Sequence, residues 1–113
     1  MPENVSPPVL GEFELLVILA VLGLGGDAYP LRIAEAIETR TGRKASRQAV
    51  LITLERLKDK GLLTSFYGNP TAARGGRPKH IFQPRPIARQ AVTASLERIG
   101  AMAEGLDLQW RPR

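Results

Sequence analysis

A helix pattern with a basic leading end, a glycine-and-arginine loop between two short strand patterns, and a heptad-like seam near the C-terminus predict the fold class of this chain. It is mainly α with a small β-wing, a winged helix-turn-helix plus a C-terminal dimerisation helix. The first two observations are ASRQAVLITLERLKDKGLL, Ala45 to Leu63, and RGGRPKHIF, Arg74 to Phe82. Helix, strand, hairpin tip and second strand follow one another in the order a winged helix sets against DNA.

The elements follow in order. Met1 to Pro8 contains three prolines and reads as a loose arm, residues 1–8. From Gly11 to Gly23, GEFELLVILAVLG is apolar nearly all round, and Glu12 and Glu14 suit the positive end of a helix dipole. A helix of that kind needs neighbours on more than one side. Phe13, Val17 and Ala20 are expected to face the core, leaving Leu15, Leu19 and Leu22 to be covered by the C-terminal helix. Pro30 suits the first turn of a second helix, marked by Ile33, Ala34 and Ile37 and ending near Gly42. Ser46 is the expected N-cap of a third, whose Val50, Leu54 and Leu57 form a buried stripe and which Gly61 ends.

Leu63 to Tyr67 and Lys79 to Pro84 are expected strands, joined by a loop that contains Gly68, Asn69, Pro70, Gly75 and Gly76. The last helix is expected over Pro86 to Leu106. Val92, Leu96, Ile99, Ala103 and Leu106 recur at alternating steps of four and three, a seam that wants a partner. Burying it against helix one, of the same or another subunit, explains both apolar excesses together, and a twofold dimer follows. The expected units are a winged-helix module at 9–85, the dimerisation helix at 86–106 and a tail at 107–113.

Composition narrows the function. The chain has 113 residues, enough for one domain with a small core, and 43% of them are hydrophobic. Residues 41–90 hold eleven of its sixteen Lys and Arg but only two of its eleven acids, Glu55 and Asp59. Charge so concentrated attracts a polyanion, with an affinity that falls as salt rises. Cysteine is absent, which removes disulfides, thiolate metal sites and thiol nucleophiles and fits a reducing compartment, the cytoplasm by default. Leu15 to Leu22 is too short to span a bilayer and follows no basic segment, so neither membrane span nor signal peptide is expected. One histidine, no phosphate-binding loop and no clustered acids argue against an enzyme, a metal or a cofactor. His80 reads as a strand residue.

These pieces resemble the PadR-like transcriptional regulators over about residues 9–106. The resemblance is carried by GEFELLVILAVL, DAYPLRIAEAIETRTGR, SRQAVLITLERLKDKGLL and NPTAARGGRPKHIF. It implies a dimeric winged-helix repressor whose C-terminal helix completes the dimer, in the compact branch of that family. Tyr29 keeps its family position, with Pro30 in place of the usual glycine. Leu51 stands where the family usually has a phosphate-reaching tyrosine, and Ile52 follows where a polar residue is frequent. At the wing's exit Pro84, Arg85, Pro86, Ile87 and Ala88 replace the usual threonine cap, so the last helix starts without one. Some members hold aromatic effectors between dimer helices. This chain has few aromatics to offer there, and no ligand is named by its residues. Trp110 reads as a packing anchor on the dimer surface.

The expected reader is helix 46–60 in the major groove of double-stranded DNA, with wing 68–80 on the backbone or in a minor groove. Residues assigned to DNA are Tyr29, Lys44, Ser46, Arg47, Gln48, Leu51, Ile52 and Thr53, with Arg74, Gly75, Gly76, Arg77 and Lys79 in the wing. Arg47 and Gln48 carry specificity, since arginine pairs with guanine and glutamine with adenine, and Thr53 supports them by hydrogen bonding. For Arg47 the other reading is a phosphate contact or an ion pair within its own subunit. Helical spacing exposes Ile52, which either meets thymine methyls or marks a protein interface. A winged helix that docks proteins without specific DNA binding, with exposed Leu51 and Ile52 as its best evidence, is therefore the alternative. The dimer is assigned to Leu15, Leu19, Leu22, Val92, Leu96, Ile99, Ala103 and Leu106.

Overall fold

The computed structural model describes residues 6–68 and 78–110. Within them run α1 (Glu12–Leu24), a 3-10 turn (Gly25–Asp27), α2 (Pro30–Thr41), α3 (Arg47–Asp59), β1 (Leu63–Tyr67), β2 (His80–Pro84) and α4 (Ile87–Ala103). The architecture is mainly α with a two-stranded wing, as expected. Among the described residues no helix is long and apolar enough to cross a membrane.

α1 is the centre of the core, packed by α2, α3, β2 and α4 of the same chain. Val17, Ile18 and Val21 are fully buried along it. Leu15 is only 6% exposed and belongs to this core, which corrects its assignment to the dimer. The reason is that neighbours within the chain cover more of α1 than its uniform apolarity shows. Phe13 and Ala20 are half-buried at the core's margin, Leu22 likewise, and Leu19 is exposed.

The start of α1 is tied to the end of α3. The Gly11 N–H donates to Glu14 Oε1 at 2.8 Å, while Lys60 Nζ donates to both Glu14 carboxylate oxygens at 2.9 Å and to the Val9 carbonyl at 3.1 Å. Burial alone would raise the Glu14 carboxyl. The bond and charge of Lys60, the Gly11 N–H and the charge of Arg56 outweigh it and hold the group below its ordinary value.

α2 starts at Pro30 and ends where Gly42 takes φ 78°, a left-handed conformation that lets its N–H reach the Glu38 carbonyl at 2.8 Å. α3 is capped as expected, the Ser46 hydroxyl accepting from the Ala49 N–H at 3.0 Å. Val50, Leu54 and Leu57 are fully buried beneath it. β1 and β2 pair antiparallel with Leu63 opposite Pro84 and Tyr67 opposite His80. Phe82 is buried, and its N–H donates to the Ala28 carbonyl at 2.9 Å, anchoring the wing to the α1–α2 turn.

α4 begins at Ile87 without a side-chain cap and is held by packing of Ala88, Ala91, Val92 and Ser95. Val92, 6% exposed, is thus a core residue rather than part of a dimer seam. The helix also stops earlier than its spacing predicts. Glu104 is extended and Gly105 adopts φ 84°, so Leu106 lies beyond the helix and outside the expected register. Leu96, Ile99 and Met102 remain exposed, and Ala103 is half-buried.

Candidate nucleic-acid interface

The interface is built on the leading end of α3. Lys44, Ser46, Arg47 and Gln48 are all exposed there. The Ser46 oxygen serves as the helix cap, which leaves its O–H free to donate outward. The first N–H groups of a helix also favour an anion, so this end suits a phosphate as well as a base edge.

Two of the expected α3 contacts fall elsewhere. Thr53 is 5% exposed and turned into the protein, because it sits beside the Val50–Leu54–Leu57 stripe; it is not available to DNA, and its supporting role is corrected. Leu51 is half-buried and packs against the core. Ile52 is 51% exposed, as helical spacing predicts.

The wing root stands beside α2. Lys79 Nζ lies 4.6 Å from the centroid of the half-buried Tyr29 ring, a cation–π contact that joins two residues assigned to DNA. The Lys79 carbonyl accepts from the Gly68 N–H at 2.8 Å, closing the strands just before the tip. Arg74, Gly75, Gly76 and Arg77 lie outside the described residues. His80 stacks on Tyr67 with ring centroids 4.3 Å apart and tilts against Phe82 at 4.4 Å. This ladder runs from the core to an exposed Tyr67 and stiffens the wing root. Sequence reasoning missed it, although aromatic residues on paired strands are the signal that could have found it.

Not all of the basic segment faces a polyanion. Lys60 is consumed by Glu14, the Lys58 ammonium donates to Ser65 Oγ at 2.9 Å, and the Arg43 guanidinium sits 4.8 Å from the Phe13 ring centroid. With Lys79 on Tyr29, four of the eleven cations thus have partners within the chain, a division that charge counting does not reveal. Among the described residues no group of three or more His, Cys, Asp or Glu is placed to hold a metal ion.

A second feature lies away from α3. A groove of about 380 Å³ between α1 and α2 is lined by Leu16, Leu19, Ala20, Leu24, Ile37 and Arg40, among others. Leu96 and Ile99 of α4 are exposed at another place on the same chain.

The chain matches no protein-family model and no curated protein. Solved structures do match. A PadR-family regulator from Eggerthella lenta superposes with a TM-score of 0.65 at 18% identity, over 83% of this chain and 81% of that one. One from Clostridium difficile gives 0.65 at 20% identity, over 82% and 95% of the two chains. This chain has the PadR-family fold. A transcriptional regulator from Clostridium thermocellum shares it, with a TM-score of 0.66 at 15% identity over 87% of this chain and 92% of that one. The PadR fold thus accommodates the departures at Leu51, Ile52 and the wing exit without a change of architecture.

Proposed function

We propose that the protein is a sequence-specific, DNA-binding transcriptional regulator of the PadR family, acting in the cytoplasm as a dimeric repressor. The observation that carries this reading is the exposed leading end of α3, where Lys44, Ser46, Arg47 and Gln48 stand together at a helix N-terminus. Helix 46–60 enters the major groove, Arg47 and Gln48 read base edges, and the N-terminal N–H groups and Lys44 meet phosphates. The wing, 68–80, lies on the backbone or in a neighbouring minor groove, with Arg74, Arg77 and Lys79 as its cations.

Dimerisation pairs the two uncovered apolar surfaces. Leu96 and Ile99 of α4 seat against the α1–α2 groove of a second copy beside Leu19, placing two recognition helices on a palindromic site. A small-molecule effector would bind between the dimer helices.

Fluorescence anisotropy against the protein's own upstream DNA and a scrambled duplex, at low and physiological salt, tests the reading. Tighter, salt-dependent binding to the upstream DNA is expected. Absence of binding at either salt would favour the docking-module alternative, for which the exposed Phe66 and Tyr67 at the wing root are the supporting observation.

A further inference from the structure

We infer that Ile52 determines specificity by reading the C5 methyl group of one thymine in each half-site. The inference rests on the DNA-binding reading above and adds a residue and a chemical group to it.

Gln48, Ile52, Glu55 and Asp59 follow one another at helical steps of four, three and four. Those steps place them on a single ridge, diametrically opposite the buried Val50, Leu54 and Leu57. All four are exposed, so this ridge is the outermost line of α3. Read from its leading end, the ridge carries an amide, a branched hydrocarbon and then two carboxylates. The carboxylates repel phosphates, and they are the only acids in residues 41–90. They keep the trailing half of the ridge out of a groove, so α3 approaches with its first two turns. Ile52 is the one large hydrocarbon in those turns that the core does not claim, since Leu51 packs inward.

A hydrocarbon on a ridge that meets base edges has one apolar counterpart in the major groove, the thymine methyl. Four residues of helix advance about 6 Å, and successive bases of a strand lie about 3.4 Å apart. The thymine is therefore expected one or two base steps from the base that Gln48 contacts. A protein partner fits Ile52 less well. The other exposed large hydrophobic residues described lie on other elements, so α3 offers a partner protein no second large apolar anchor beside Ile52.

The experiment uses a duplex selected by the full-length wild-type protein from a random-sequence pool. Each thymine is replaced in turn by deoxyuridine, which removes only the C5 methyl, and binding is measured for wild type, Ile52→Ala and Ile52→Val. For wild type, one thymine per half-site is expected to cost about fourfold in affinity on replacement, the worth of one methyl group taken out of water. Ile52→Ala should bind the methylated and unmethylated duplexes alike, and Ile52→Val should keep most of the discrimination. Circular dichroism and thermal melting confirm that the variants fold. If a sequence is selected but no thymine methyl matters, or if Ile52→Ala senses the same methyl as strongly as wild type, the proposal is overturned while the DNA-binding reading stands. If no common sequence is selected, both fall.

Discussion

Replacing Lys60 by methionine should cost about 2 kcal/mol of folding stability at pH 7, and the cost should shrink as pH falls. The Lys60 ammonium makes three hydrogen bonds, two to Glu14 and one to the Val9 carbonyl, and no other side chain replaces them. Hydrogen bonds to charged groups contribute roughly 1.5–3 kcal/mol each way, and removing one partner of a fully buried ion pair costs about 3–5 kcal/mol. The Glu14 side chain is 9% exposed, but that of Lys60 is 30% exposed, so water reaches the carboxylate once the lysine is gone. The lower figure is therefore appropriate, and on a domain of this size it corresponds to roughly 10 °C in Tm.

The pH dependence follows from the direction of the Glu14 shift. Its folded-state value lies below the ordinary 4.5, so the stability it contributes is fully present above about 4.5 and is lost as pH falls through the folded value. In Lys60→Met, burial is no longer opposed by the ammonium, and Glu14 takes up a proton at higher pH. The protonated carboxyl has no charge left unpaired, so the gap between wild type and variant narrows on acidification. Urea denaturation of both proteins at pH 7 and pH 4 measures that gap. A gap that is unchanged between the two, or smaller than about 0.5 kcal/mol at pH 7, would refute the assignment of Glu14 and Lys60 as a stabilising buried pair.

Three further outcomes are expected. Arg47→Ala with Gln48→Ala should lower the preference for the selected sequence over random duplex at least tenfold, since each bidentate base contact is worth about 1–3 kcal/mol; competition binding with an unchanged ratio would remove α3 as the reader. Arg74→Ala with Arg77→Ala should weaken binding to all duplexes similarly and flatten the dependence of affinity on salt, which a titration from low to physiological salt measures. Leu96→Glu with Ile99→Glu should convert a dimer to a folded monomer in analytical ultracentrifugation, because both side chains are exposed on the single chain; a persistent dimer would place the interface elsewhere.

The features that were legible in the sequence are those set by local chemistry. Ser46 caps α3 because a hydroxyl at that position satisfies a free N–H, and Val50, Leu54 and Leu57 bury because their spacing allows only one face. The strand Leu63–Tyr67 stands between Gly61 and Gly68, and both its boundaries were readable. Illegible were features decided by what lies across the core. Leu15 and Leu19 are equally apolar neighbours on α1, yet the first is buried within the chain while the second stays 38% exposed in the α1–α2 groove. Val92 and Leu96 belong to one heptad pattern, but the chain's own core reaches the first and not the second. Thr53 reads as a polar donor on a DNA helix and is buried by its position beside the stripe. Leu106 fits the seam by count alone, and the left-handed turn at Gly105 removes it.

The hydrogen bond from Phe82 to Ala28 has a consequence for self-association. A two-stranded ribbon has two open edges, each a template onto which another extended chain can add. On β2 the outward-pointing N–H at its most buried residue is already occupied by the Ala28 carbonyl, so that edge is closed near its middle. On β1 the Lys58 ammonium donates to Ser65 Oγ and sets a charge beside the strand. The contact that holds the wing against the α1–α2 turn thus also closes one edge of a small, aromatic-rich ribbon to another extended chain.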